Sequence, residues 1–245
     1  MDVTNPPLSA CEGTASRVSR CSEEPRGVVQ RALMRLFPQR ARSVSCGLGV
    51  LIAPSWVLTC EHVASPRTGD FGAALCANPS LQARVSAVVF AGESLRIDAT
   101  QFLARFGQRS WGTSDYLQER LALLQLDQPL LIASPYPRAS RDGDPDKDTL
   151  LGAPHFGAAP RLMAELRFVA RASSNCVMAT LPEFALGPMG GDSGGPVIRG
   201  SASNAGIFAI QNAVSIDHLT GVRSALAVPV ATATTWISNI TGIPF

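Results

Sequence analysis

The sequence predicts an all-β chain folded as two lobes, and three observations carry that expectation. Short apolar runs recur along the chain, each bounded by Gly, Pro, Ser, Asn or Asp, as strands and their turns require. Hydrophobic residues at 46% against charged residues at 16% supply a sizeable core and argue against global disorder. A length of 245 residues is long for one small domain and ordinary for a two-lobed β protein. The formal net charge of +2 is too small to imply a nucleic-acid or membrane-surface partner. Apart from Arg35, Arg40 and Arg42, the basic residues are scattered.

Residues 1–25 are polar and read as a flexible arm without the pattern of a secretory leader. No run approaches the roughly 18 apolar residues of a membrane span. A first lobe is expected over 26–135. In Val28–Phe37 two spacings compete: Val29, Leu33, Leu36 and Phe37 suit a helix, and Ala32–Phe37 suits a first strand, the preferred reading. Ser43–Pro54 reads as a strand bent by its glycines, followed by a turn and a second apolar strand from Trp56 to His62-Val63. Ser65–Ser80 reads as loop, Leu81–Phe90 as a strand, Ala91–Ser114 as a long insertion, and Leu121–Leu126 as a buried strand running into a turn.

Residues 136–149 form the expected inter-lobe linker. Their acidic cluster, Asp142, Asp144, Asp146 and Asp148, lacks the glycine position and closing glutamate of an EF-hand loop. It reads as a solvated loop, so neither a metal nor a cofactor is expected. The second lobe, 150–245, offers strand-like runs at Leu150–Gly157, Arg161–Ala172, Asn175–Leu181, Ala205–Gln211 and Ser224–Val230. His155 lacks the context of a catalytic base and reads as structural, and His218 reads as exposed.

The chemistry concentrates in Gly187–Ile198, where Gly190-Gly191-Asp192-Ser193-Gly194-Gly195-Pro196 sets a serine among glycines just before an apolar strand. Glycine permits positive φ and leaves backbone N–H groups unshielded. The amides of Gly191 and Ser193 can therefore converge as an oxyanion hole beside the Ser193 hydroxyl as nucleophile. The bland reading, a glycine-rich turn, needs six specific consecutive residues to arise by chance.

Gly-Asp-Ser-Gly-Gly-Pro resembles the nucleophile motif of the trypsin-like, chymotrypsin-fold serine peptidases. That resemblance demands an upstream histidine after an apolar strand, and Thr59-Cys60-Glu61-His62-Val63 supplies one, making His62 the candidate general base. The block is also similar to those of intracellular bacterial trypsin-like proteases of conflict and signalling systems. The resemblance implies two antiparallel six-stranded β-barrels with a short C-terminal helix at Thr232–Ile240. It further implies a serine endopeptidase acting on protein or peptide substrates, with the site between the barrels.

Departures from the family pattern bear on function. Where the family's third block begins with an aspartate, this chain has Arg120, which cannot accept a hydrogen bond from an imidazole. Asp115 is the first candidate for the third catalytic member and Glu119 the alternative; orientation of His62 by water or a backbone carbonyl also stays open. Gly187, six residues before the serine, replaces the acidic residue that selects Arg or Lys. Ala209, Ile210 and Gln211 stand for the pocket-lining strand, with Gln211 narrowing the pocket or placing an amide inside it, so a small or uncharged, non-basic residue is expected at the cleavage position.

Val63 and Met189 occupy places where secreted relatives carry cysteines, so Cys60 and Cys176 are expected to pack as small hydrophobes in a reducing, cytoplasmic setting. No released amine is evident to pair with Asp192, which leaves room for an activating partner. The rival reading is a protease-fold binding or scaffold module with chemistry weakened at Arg120.

Overall fold

In the computed structural model, the described residues are 28–29, 31–38, 47–64, 71–92, 95–98, 116–132, 135–140, 150–154, 163–172, 175–180, 191–199, 206–216 and 223–245. Of these, 95–98, 116–119, 150–154, 163–172, 175–180, 213–216 and 223–226 are described by their backbone alone. Two closed six-stranded antiparallel barrels account for most of them.

The first barrel comprises β1 (Leu33–Pro38), β2 (Gly47–Ala53), β3 (Trp56–Cys60), β4 (Phe71–Leu75), β5 (Gln82–Phe90) and β8 (Leu121–Leu126), in the order β1-β2-β3-β8-β5-β4. The competing spacings near the start are both realised, since residues 28–29 and 31–32 are helical and the strand begins at Leu33. The start of β5 is exposed at Gln82, Arg84 and Ser86 and buried at Ala83 and Val85. That is the period-two pattern of a strand with one wet face. By contrast, all of β2 is buried, because one face lines the barrel and the other is covered.

The loop expected at Ser65–Ser80 contains β4. Phe71-Gly72-Ala73-Ala74-Leu75 has few β-branched residues and depends for its strand form on pairing with β1 and β5. Between β5 and β8, β6 (Leu95–Asp98) and β7 (Tyr116–Glu119) form a separate two-stranded sheet. The part of the expected insertion at 99–114 lies outside the described residues.

The chain crosses between barrels through residues 135–140. Arg138 Nη1 donates to Ile52 O at 2.9 Å, Ile207 N donates to Arg138 O at 2.7 Å, and Ser140 N donates to Ile207 O at 2.9 Å. One crossing segment is thereby tied to both barrels.

The second barrel comprises β9 (Leu150–Pro154), β10 (Met163–Ala172), β11 (Asn175–Thr180), β12 (Pro196–Arg199), β13 (Gly206–Ile216) and β14 (Arg223–Pro229), ordered β10-β11-β14-β13-β12-β9. A short 3-10 turn at Ala231–Ala233 leads into the terminal helix, Thr234–Thr241, which ends at Gly242 in the left-handed conformation with φ 71°. One apolar core runs from Leu51, Leu58 and Leu123 in the first barrel to Ile198, Ile210 and Val228 in the second, and on to Ile237 of that helix.

Candidate active site

Ser193 lies at the contact of the two barrels. Its carbonyl accepts the backbone N–H of Leu48, on β2, at 2.8 Å, so a first-barrel strand fixes the serine's backbone. The next residue, Gly194, has φ 83°, and a Cβ there would meet Leu48 O and Thr59 Oγ1. Thr59 Oγ1 itself donates to Leu48 O at 2.8 Å. Only glycine fits that crossing, which gives a concrete reason for the glycine following the serine.

The remaining turn is held from within the second barrel. Gly194 N donates to Gln211 O at 2.6 Å, Gly195 N to Asp192 O at 2.9 Å, and Gln211 N to Gly195 O at 2.9 Å. These bonds commit the amides of Gly194 and Gly195. The amides of Gly191, with φ 100°, and Ser193 have no acceptor among the described residues. Asp192 is buried, 1% exposed.

The Ser193 hydroxyl donates to Asn212 O at 3.0 Å. Asn212 reaches it because the β13–β14 register shifts between Gln211 and Ala213; such a bulge frees one residue from the ladder and re-aims it. The Asn212 side chain is buried, and neither its Oδ1 nor its Nδ2 has a hydrogen-bond partner among the described residues. Sequence reading missed this residue. A register shift leaves no compositional trace, and asparagine within a strand gives no signal by itself.

His62 lies on α1 (Glu61–Ala64), a single turn directly after β3. Val63 and Ala64 of that turn are buried and His62 is exposed. The fully buried Cys60 places its Sγ 3.6 Å from His62 Nδ1 and 4.0 Å from Nε2. Two such similar distances set the sulfur against the ring, since a sulfur in line with one N–H would be far from the other nitrogen. Neither Cys60 nor Cys76 is in a disulfide. Burial pushes the Cys76 thiol up to about 12, opposed by the nearby Arg35 charge.

Next to His62, Glu61 accepts two hydrogen bonds from Arg120: Nε to Oε2 at 2.8 Å and Nη2 to Oε1 at 2.6 Å. The backbone joins the same two residues, Glu61 N donating to Arg120 O at 2.9 Å. The guanidinium also lies over the Phe90 ring, 5.2 Å from its centroid. Its hydrogen bonds hold the Glu61 carboxyl below the ordinary carboxylate range, against the opposing effect of burial. The residue standing at the family's aspartate position is thus clasped to the neighbour of the histidine. The sequence shows Arg120 but not its pairing with Glu61, 59 positions away.

Asp115 and Gly187 lie outside the described residues, and Glu119 is described by backbone alone, at the end of β7 opposite Leu95. The expected pocket strand is buried and paired on both sides. Ala209, Ile210 and Gln211 are 0%, 0% and 1% exposed. Ala209 pairs with Val197 and Pro229, and Ile210 with Pro196 and Val228. Gln211 pairs with Ala227 and also bonds Gly194 and Gly195. A backbone bonded on both sides has no edge to offer a peptide.

A cleft of about 530 Å3 between Ala91, Leu121, Val228, Ala233 of the 3-10 turn, and Trp236 and Ile240 of the terminal helix is lined by neither His62 nor Ser193. The catalytic candidates are placed by chemistry and register. Among the described residues, no group of three or more His, Cys, Asp or Glu is arranged to hold a metal ion, and no helix is long and apolar enough to cross a membrane.

A family model described as Trypsin matches residues 31–237. Kallikrein-related peptidase 10 is similar in structure with a TM-score of 0.64 at 15% identity, covering 90% of this chain and 98% of that one. The kallikrein-related peptidase 10 complex with Zn2+ gives 0.62 at 16% identity, covering 88% and 97%. No curated protein matches the sequence.

Proposed function

The chain belongs to the trypsin family of serine endopeptidases, and on that premise we propose that Ser193 and His62 cleave peptide bonds through an acyl-enzyme. Ser193 Oγ attacks the scissile carbonyl, and His62 takes the hydroxyl proton and passes it to the leaving amine. The Gly191 and Ser193 amides receive the developing oxyanion. The observation that carries this reading is the fixation of Ser193 by Leu48 N at the barrel contact, which seats the nucleophile against the barrel that bears the histidine. In the resting arrangement its hydroxyl is turned to Asn212 O. A rotation about χ1 releases it toward the base.

The substrate strand is proposed to add along β13 beyond the bulge. There Ala213–Ile216 pair with β14 on one side, whereas the β12 pairing ends at Ile210. A strand added at such an edge is held by main-chain bonds and selected by side-chain pockets. Gly187 supports a non-basic residue at the cleavage position, and Cys60 and Cys76, neither of them in a disulfide, support a reducing, cytoplasmic setting and a regulatory or processing role. Asp115, with Glu119 as alternative, remains the proposed third catalytic member.

A fluorophosphonate probe tests the central reading. Wild type is expected to be labelled, and Ser193→Ala and His62→Ala to lose labelling. Serine-independent labelling or none at all would instead favour the binding-module reading, to which the Glu61–Arg120 pair at the family's acidic position lends support.

A further inference from the structure

We propose that Asn212, with its neighbour Gln211, is a specificity-determining residue, and that their buried carboxamides select the substrate. The residue at the cleavage position would carry an uncharged side chain that both donates and accepts hydrogen bonds: the carboxamide of Gln or Asn, or the hydroxyl of Ser or Thr. The assignment rests on the Ser193 peptidase reading and names the substrate class of that same site.

Hydrogen bonds put both residues against the nucleophile. Ser193 Oγ donates to Asn212 O at 3.0 Å. Gln211 holds the residues after the serine, its O accepting from Gly194 N at 2.6 Å and its N donating to Gly195 O at 2.9 Å. Covalent geometry keeps the carboxamide of an asparagine within roughly 6 Å of its own carbonyl oxygen in any rotamer. Asn212 therefore carries a side-chain donor and acceptor within reach of a substrate residue bound at Ser193. In a regular strand, neighbouring side chains face opposite sides. The β13–β14 register shift between Gln211 and Ala213 interrupts that alternation, as bulges do where they re-aim a side chain.

Gln211 is 1% and Asn212 3% exposed, and Gln211 Nε2, Asn212 Nδ2 and Asn212 Oδ1 have no hydrogen-bond partner among the described residues. Buried polar groups are nearly always paired, and each one left unpaired costs stability. The two preceding positions, Ala209 and Ile210, are buried and apolar, so the strand itself has no need of amides here. The amides are shut off in the resting arrangement, and the Ser193 rotation that frees the nucleophile also releases Asn212 O. Rotation of the Asn212 side chain, opposed by no hydrogen bond of its own carboxamide, then brings the amide to the substrate.

The unpaired groups define what they take. Two are N–H donors and one is a carbonyl acceptor. A substrate carboxamide answers all three: its oxygen accepts from both amides with two lone pairs, and its NH2 donates to Asn212 Oδ1. A hydroxyl matches them with two lone pairs and one O–H. An ionised carboxylate has no proton for Oδ1, and an ammonium has no acceptor for Nε2 or Nδ2. An apolar side chain leaves all three unpaired. With water excluded, that mismatch is not softened, the condition under which hydrogen-bonding sites discriminate by large factors.

Cleavage of a peptide library by the full chain tests this, with Ser193→Ala as the control. Gln, Asn, Ser or Thr is expected at the cleavage position, and individual peptides then separate the carboxamide from the hydroxyl. Exchanging the preferred residue for its apolar counterpart, such as Met for Gln or Val for Thr, should lower kcat/KM about 100-fold. In Asn212→Leu and in Gln211→Met that ratio should fall below about tenfold. It is read within each variant, so an overall loss of rate cancels. The urea midpoint of Asn212→Leu should be no lower than that of wild type, because an apolar group of similar shape replaces an unpaired buried amide. A library preference for apolar or charged residues, an unchanged ratio in both variants, or midpoints that fall in both would overturn the assignment. If one variant does not fold, the other reports the ratio. Fluorophosphonate labelling of wild-type Ser193 keeps the two readings apart. Labelling without the expected preference overturns the assignment alone, whereas absence of both labelling and cleavage overturns the peptidase reading with it.

Discussion

Gly194 illustrates how a motif residue acquires a physical job. The same positive φ recurs at Gly242, where a Cβ would meet nothing within 4 Å, whereas at Gly194 it would run into Leu48 O and Thr59 Oγ1. Gly194→Ala should therefore cost roughly 2–5 kcal/mol in urea unfolding, combining backbone strain with overpacking. Gly242→Ala should cost about 1 kcal/mol, from conformation alone. Equal losses would show that the crossing at Gly194 relaxes freely. The glycine was legible in the sequence; the carbonyl and hydroxyl that demand it come from residues far away in the chain.

At the scale of elements, β8 organises the first barrel, pairing with β3 and β5 along most of its length. Leu123, in its middle, is fully buried, and Leu123→Ala should destabilise by about 2–5 kcal/mol. Leu131, just past the strand, is 72% exposed, and the same substitution there should stay within about 0.5 kcal/mol. Comparing their denaturant midpoints checks whether packing, and not leucine content, holds the barrel. Runs such as Val50-Leu51-Ile52 and Leu121–Leu126 announced their strands. Phe71–Leu75 did not, because its small residues become a strand only when β1 and β5 flank them.

At the scale of the whole molecule, the response to acid is set in part within the first barrel, where Glu61 after β3 pairs with Arg120 at the entrance to β8. The Glu61 carboxyl titrates lower in the fold than its ordinary 4.5. The linkage therefore stabilises the fold above that value and is lost as pH falls through the lowered one. Glu61→Gln should reduce the urea midpoint near pH 7, and the difference should fade in acid. Screening of this part-exposed pair limits the loss to about 1 kcal/mol. A difference independent of pH would assign the loss to packing and not to the charge.

The sequence by itself determined the strand-rich two-lobed fold and singled out Ser193 and His62 as the proposed catalytic pair. Apolar periodicity and a six-residue motif are local properties that survive without knowledge of neighbours. Tertiary structure alone decided that Arg120 pairs with Glu61, that Asn212 turns its carbonyl to Ser193, and that Ala209–Gln211 lie inside the barrel and not along its edge. Each depends on strand register or on contacts between distant positions. One residue's slip exchanges buried and open faces, and no local pattern records where a bulge will place it.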